Sequence, residues 1–146
     1  MIDEVLEKWH AHLRGELEGG LDGLLADDVV FHSPIVFTPQ EGKALTKLYL
    51  TAAGQTFPGD GAQAPSGEAV AKGGAFRYTK RVVQGDVAVL EFETTIGGTY
   101  VNGVDIITAN DEGKIAEFRV MLRPLRAVNL IHQQMAAMLE KMAPKP

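Results

Sequence analysis

The sequence predicts an α+β domain in which helices cover one face of a curved antiparallel sheet. Apolar residues recur at helical spacing near both ends of the chain, over residues 5–17 and 128–142. Between residues 75 and 122, four strand-like segments follow one another and are separated by short turns. A bent sheet closed by helices encloses space, so we expect a cone-shaped interior.

Four elements are predicted in the first third of the chain. In order they are helices over 5–17 and 21–28, a strand over 29–33 and a helix over 42–53. Gly19 and Gly20 are predicted to end the first helix, and Pro34 to stop the strand because it lacks an N–H donor.

The segment from Gly54 to Gly74 is predicted to be a flexible loop. It is rich in Gly, Pro, Ala and Ser, which bury too little surface for a continuous regular element. A short strand is expected near residues 68–71.

The second half of the chain is predicted to form an antiparallel meander followed by a helix. The strands are 75–83, 86–96, 99–109 and 114–122, and the C-terminal helix is 125–142. The strand separators, such as Gly97-Gly98, have the composition of hairpin turns. The helix carries a methionine stripe, which either covers a pocket or packs on a neighbouring helix or subunit.

Alternation with period two assigns the strand residues to two faces. The predicted inner residues are Phe76, Tyr78, Leu90, Phe92, Thr94, Asp105, Ile107, Phe118, Val120 and Leu122. The predicted outer residues are Arg77, Thr79, Arg81, Glu91, Glu93, Glu117, Arg119 and Arg123. The outer set mixes both charges, which favours cross-strand ion pairs. Arg123 is expected to pair with Glu93 or Glu117, the alternative being that it neutralises an anionic ligand at the cavity mouth.

Asp105 is the residue that most directly suggests a function. It is the lone carboxylate in the apolar β-pattern of residues 100–108. A buried carboxylate is costly unless it is paired, hydrogen-bonded or kept neutral by a raised pKa, and a neutral carboxyl group can donate a hydrogen bond. Asp105 is therefore either a pocket acid or a structural carboxylate satisfied by Tyr78, Trp9 or a backbone amide.

Composition limits the classes of function. A chain of 146 residues with 45% apolar content fits one domain over residues 1–146, and a net charge of -5 argues against nucleic acid. The chain has no cysteine and no His-x-x-x-His spacing, so neither a metal nor a cofactor is expected. No signal peptide is recognised at the start, and no apolar run approaches about 20 residues. A cytoplasmic protein without membrane contact is expected.

The order of elements resembles the nuclear transport factor two-like superfamily, specifically its SnoaL-like members. The stretches that carry the resemblance are residues 24–34, 89–93, 103–105 and 113–115, and the segment 120–138 resembles an uncharacterised bacterial branch. The resemblance implies a cystatin-like cone with a ligand cavity, usually a homodimer built sheet to sheet. It does not fix the chemistry, since this fold hosts isomerases, hydrolases, cyclases and non-catalytic binders.

Similarity to ketosteroid isomerase places Asp105 on the neutral, hydrogen-bond-donating aspartate of that enzyme's oxyanion hole. The position of its catalytic base is occupied by Ser33, and that of its oxyanion tyrosine by Trp9. A serine without an activating base cannot shuttle a carbon-bound proton near neutral pH. The catalytic triad of limonene epoxide hydrolase is also missing, whereas the acidic pocket residue of the polyketide cyclases is matched by Asp105.

Three hypotheses follow. The first is a homodimer that binds a small, mostly apolar, oxygen-bearing molecule. The second is a cofactor-independent isomerase, cyclase or hydratase of a carbonyl or polycyclic substrate, with Asp105 as catalytic acid or oxyanion donor. The third is a non-catalytic dimeric interaction module. The residues predicted to contact the ligand are Trp9, Ser33, Tyr49, Tyr78, Phe92, Asp105, Ile107, Phe118 and Val120.

Overall fold

The computed structural model describes residues 2–56 and 76–142 and has an α+β architecture. Its helices are α1 (Ile2–Leu13), α2 (Gly20–Leu24), α3 (Lys43–Thr56) and α4 (Leu125–Met142). Its strands are β1 (Leu25–His32), β2 (Gln40–Glu41), β3 (Arg77–Gln84), β4 (Val87–Ile96), β5 (Thr99–Ala109) and β6 (Ile115–Arg123). The predicted fold class is confirmed, and α4 coincides with the predicted C-terminal helix.

The six strands form one mixed sheet in the order β2-β1-β6-β5-β4-β3. Strands β3 to β6 make the predicted antiparallel meander. The expectation of a wholly antiparallel sheet was wrong at β1, which pairs parallel with β6. Alternation within a strand reveals its faces but not its partner, so this long-range pairing left no local signal.

The first two helices are shorter than predicted. Helix α1 ends at Leu13, and Gly15 then takes a left-handed backbone with φ of 74°. Leu17 still packs against the core, which explains why the helical pattern continued to that residue. Helix α2 ends at Leu24, so residues 25–28, predicted to be helical, begin β1 instead, and Leu25 pairs with Ile115 of β6.

Helix α3 extends three residues past Ala53, so the predicted loop does not begin at Gly54. Gly54 is exposed within the helix, where glycine is tolerated at a cost of about 1 kcal/mol relative to alanine. The remainder of the predicted loop and the strand expected near residues 68–71 lie outside the described residues.

The inner face of the sheet packs against the helices, as alternation predicted. Strand β4 alternates strictly between buried and partly exposed positions. Six of the predicted inner residues are buried, namely Leu90, Phe92, Thr94, Asp105, Ile107 and Phe118. Phe76, Tyr78, Val120 and Leu122 are partly buried and pack against two clusters of buried apolar residues.

Two arginines differ from the sequence prediction, Arg81 in the face it occupies and Arg123 in its partner. Strand β3 has a bulge at Thr79, after which Arg81 lies opposite the inward-facing Leu90. Arg81 therefore lies on the inner face, where its guanidinium is 2.6 Å from the Asp3 carboxylate of α1. Arg123 donates to Asn102 Oδ1 at 3.1 Å instead of pairing with a glutamate.

The outer face carries the expected mixture of charges. Its ion pairs include Arg77–Glu93 at 3.6 Å, Lys80–Glu91 at 3.9 Å and Arg119–Glu117 at 3.5 Å. None of the described helices is long and apolar enough to cross a membrane.

Candidate functional site

A cavity of about 440 Å³ lies between the inner face of the sheet and helices α1, α3 and α4. Eight of the nine residues predicted to contact a ligand line it: Trp9, Ser33, Tyr49, Tyr78, Phe92, Asp105, Phe118 and Val120. Ile107, the ninth, shares their face but is fully buried in the core. Alternation assigns a face but not a depth, so Ile107 could not be separated from the lining residues by sequence.

Three polar side chains form a hydrogen-bonded chain on the cavity wall. The Trp9 indole Nε1 donates to the Tyr78 hydroxyl at 2.9 Å, and this hydroxyl donates to Asp105 Oδ2 at 2.6 Å. Trp9 belongs to the buried stripe of α1. Tyr78 and Asp105 flank β4, because Tyr78 lies opposite Phe92 and Asp105 lies opposite Leu90. The long phenol spans β4 and reaches the carboxylate.

Burial is the main cause of the raised pKa of Asp105. The residue is only 6% exposed, and desolvation raises the pKa of its carboxyl group from 3.8 to about 7, although the Tyr78 hydrogen bond acts in the opposite direction. Burial and the neighbouring carboxylate also hold the pKa of Tyr78 well above 10.0, so its proton stays in place. No lysine or arginine lines the cavity among the residues described, so no cation offsets the charge of Asp105.

The rest of the wall is mainly apolar and aromatic. Its ring contacts are Phe31–Tyr49 at 5.7 Å, Trp9–Phe118 at 4.9 Å and Phe76–Phe92 at 4.8 Å between centroids. Ile131 and Met135 complete the wall from α4 of the same chain. A largely apolar ligand would therefore meet a mainly apolar surface around Asp105.

Ser33 lies on the wall just beyond the end of β1. Its Oγ accepts hydrogen bonds from the backbone N–H groups of Ile35 at 3.0 Å and Val36 at 3.3 Å. These bonds hold the loop that follows β1, while the hydroxyl proton can still point to a ligand. This arrangement provides a hydrogen-bond donor but no base.

Two histidines on the cavity wall were absent from the predicted site. His12 follows Trp9 by one turn of α1, and its ring lies 5.4 Å from the indole. Burial lowers the pKa of His12 below 6.5, so the imidazole is neutral near neutral pH. His132 reaches the cavity from an exposed position on α4. The three-residue spacing from Trp9 to His12 was the sequence signal for a shared helix face.

The described residues contain no cluster of three or more histidine, aspartate or glutamate side chains that could hold a metal ion.

Comparison with solved structures reveals relatives over most of the chain. A steroid delta-isomerase from Pseudomonas aeruginosa aligns with 27% identity and a TM-score of 0.80, covering 97% of this chain and 93% of its own. A bacterial protein of cystatin-like fold from Silicibacter pomeroyi aligns with 30% identity and a TM-score of 0.68, covering 88% of this chain and 77% of its own. The chain belongs to the nuclear transport factor two-like superfamily. This assignment confirms the resemblance found in the sequence.

A more distant member of the nuclear transport factor two-like superfamily supports the fold alone. A protein of unknown function from Mesorhizobium loti has 16% identity and a TM-score of 0.63, with coverage of 84% of this chain and 91% of its own. No protein-family model and no curated protein matches the chain. The superfamily includes proteins of different chemistry, so membership does not determine the function of this chain.

Proposed function

We propose that this protein binds a small, mostly apolar molecule that carries at least one oxygen, and that Asp105 recognises this oxygen. The observation that carries the proposal is the Asp105 carboxyl group, the only carboxyl among the lining residues that the structure describes, which hydrogen bonds from Trp9 to Tyr78 and from Tyr78 to Asp105 orient on a mainly apolar wall. A few oriented polar groups in an otherwise apolar pocket are typical of small-molecule sites.

The size of the cavity fits such a ligand. Its volume of about 440 Å³ lies within the range of roughly 300–1,000 Å³ that small-molecule pockets occupy. Because no described lysine or arginine lines the wall, a neutral ligand is favoured over a carboxylate or phosphate.

Asp105 is the group best placed to contact the ligand oxygen. The Tyr78 hydroxyl already uses its proton on Asp105 Oδ2 and accepts the Trp9 N–H. In the described residues, Tyr78 is the only hydrogen-bond partner of the Asp105 carboxyl group. The other carboxyl oxygen can therefore serve the ligand. A protonated Asp105 donates to a carbonyl oxygen, whereas an ionised Asp105 accepts from a hydroxyl group.

Trp9 provides the test, because it is the single tryptophan of the chain and lines the cavity. We expect titration with trans-1-decalone, a neutral bicyclic ketone, to change tryptophan fluorescence with a saturable dependence. Asp105→Ala should weaken binding by about tenfold or more, since a buried ligand carbonyl then loses its donor. Asp111→Asn, in an exposed turn, is the control and should leave binding unchanged. Equal affinity in wild type and Asp105→Ala would remove Asp105 from the site.

The second candidate function is a cofactor-independent isomerase, cyclase or hydratase in which Asp105 is the acid or oxyanion donor. It is favoured by the 27% identity to a steroid delta-isomerase along nearly the whole chain. Its test is the conversion of a β,γ-unsaturated steroid ketone to the conjugated ketone, followed by absorbance. Turnover that disappears in Asp105→Ala would support this function, whereas binding without turnover would leave a binding protein.

A dimeric interaction module without a ligand is the remaining hypothesis. It requires that neither the ketone nor any related neutral probe bind the cavity.

A further inference from the structure

We propose that His12 is a second polar contact for the ligand, so that the cavity selects neutral molecules with hydrogen-bonding oxygens at two separated ends. One oxygen contacts Asp105 and the other contacts His12. This inference rests on the proposed function and narrows its ligand class.

The geometry places the two groups along one wall. The His12 ring lies 5.4 Å from the Trp9 ring, Trp9 Nε1 lies 2.9 Å from the Tyr78 hydroxyl, and that hydroxyl lies 2.6 Å from Asp105. His12 and Asp105 both line the same cavity. An indole and a phenol hydroxyl separate them, so a ligand that contacts both has an apolar body of about two rings between its oxygens.

His12 has hydrogen-bonding capacity that the described part of the chain does not use. Its ring contacts Trp9, but no hydrogen bond or ion pair to the imidazole is found among those residues. The side chain is half-buried, and burial lowers its pKa, which keeps the ring neutral. A neutral imidazole offers one N–H donor and one acceptor nitrogen, which suits a hydroxyl or carbonyl oxygen.

His132 is the competing histidine, because it also lines the cavity. It is exposed on α4, whereas His12 is half-buried beside Trp9. A hydrogen bond at an exposed site replaces one made with water and adds little net affinity. The more shielded His12 is therefore the better second contact, and His132 is a matched control.

The test compares ligands that differ by one oxygen. The probes are 2-naphthol with 2,6-dihydroxynaphthalene, and 4-phenylphenol with 4,4′-dihydroxybiphenyl, which bracket the separation of the two groups. Binding is measured by titration calorimetry. For wild type, we expect the second oxygen to tighten binding on at least one scaffold by about threefold to tenfold. This gain is counted beyond the twofold statistical advantage of a symmetric diol.

The variants assign the gain to a residue. His12→Leu should reduce the advantage of the diol over the single-oxygen probe, both measured in this variant, to the statistical factor. His12→Gln, which keeps a donor and an acceptor, should restore part of the advantage. His132→Leu should retain it. Circular dichroism and thermal unfolding confirm that each variant is folded.

Three results would overturn the inference. The diol advantage could survive in His12→Leu, it could be lost in His132→Leu instead, or wild type could show no diol advantage on either scaffold. The proposed function fails separately. If no probe binds wild type, both proposals are wrong. If the single-oxygen probes bind and Asp105→Ala weakens them, but the diols gain nothing, only the role of His12 is wrong.

Discussion

At the scale of single residues, Asp105 combines an unfavourable location with an oriented hydrogen bond. Its carboxyl group is buried on an apolar wall, and the described residues give it one partner, Tyr78. The free energy of unfolding should therefore depend strongly on whether this carboxyl group is neutral or charged.

The stability of the protein should depend on pH through the ionisation of Asp105. The pKa of Asp105 is about 7 in the folded chain and ordinarily 3.8, so the folded state holds the proton more tightly. Stability contributed by this group is complete below pH 3.8 and is lost as pH rises to about 7. The loss amounts to roughly 4 kcal/mol and is constant at higher pH. Denaturant unfolding should therefore show wild type losing stability relative to Asp105→Asn across this window. A difference between the two that does not vary with pH would contradict the assignment.

Tyr78→Phe should lower the stability of the protein. This change removes the donor to Asp105 and the acceptor for Trp9, and it leaves the buried indole N–H without a partner. We expect a loss of about 1–3 kcal/mol in the free energy of unfolding. The pKa of Asp105, followed by carboxyl-carbon NMR, should rise, because the Tyr78 hydrogen bond lowers it.

Tyr100→Phe is the matched control for that experiment. Tyr100 donates to Glu93 on the outer face and is 45% exposed, so its hydroxyl exchanges readily with water. Equal losses in the two variants would show that the Trp9–Tyr78–Asp105 chain has no special contribution.

At the scale of elements, the packing of β5 depends on a glycine. Gly103 lies opposite Phe92 on β4 and Leu122 on β6. A Cβ at this position would lie 2.5 Å from Phe92 Cζ, 2.6 Å from the Met121 carbonyl oxygen and 2.8 Å from Leu122 Cδ2. The Phe92 and Leu122 side chains line the cavity, and they can pack over β5 because Gly103 has no Cβ.

Gly103→Ala should therefore destabilise the protein by about 1–3 kcal/mol, as overpacking usually does. It should also weaken ligand binding, because the Phe92 ring is displaced toward the cavity while the backbone carbonyl cannot easily move. Gly23→Ala in α2 is the control, since a Cβ there meets nothing within 4 Å. Unfolding curves and the decalone titration measure both effects. Normal stability in Gly103→Ala would mean that β5 shifts without cost.

The sequence predicts the features that neighbouring residues determine, and it misses those that depend on distant parts of the fold. Alternation correctly placed Phe92, Asp105 and Phe118 on the inner face, because burial on one side imposes period two. It failed for Arg81, since the bulge at Thr79 adds a residue that no local pattern announces. His12 was missed because helix faces were assigned from apolar residues alone. Its neutral state depends on burial, which is a tertiary property.

At the scale of the whole molecule, the outer face of the sheet is a candidate surface for self-association. Three large apolar side chains are exposed between the ion pairs of this face: Val82 is 53% exposed, Tyr100 45% and Met121 50%. Exposed apolar side chains interspersed with charges are typical of non-obligate interfaces, so we retain the prediction of a homodimer built sheet to sheet.

Native mass spectrometry should therefore record a dimer, and Met121→Lys should shift it toward the monomer by placing a charge in the interface. Phe37→Lys is the control, because Phe37 is fully exposed in the loop between β1 and β2. A monomeric wild type, or dissociation caused only by Phe37→Lys, would contradict the sheet-to-sheet dimer.

The parallel pairing of β1 with β6 also has a kinetic meaning. Phe31 pairs with Phe118 and His32 with Arg119, so this contact closes a very long loop, whereas β3 to β6 are joined by short turns. Loop closure opposes such long-range contacts early in folding. We expect the meander to form first and β1 to dock last. Because Phe31 and Phe118 both line the cavity, the ligand site would then exist only after the rate-limiting barrier. In stopped-flow experiments, a bound probe should slow unfolding and leave the folding rate unchanged.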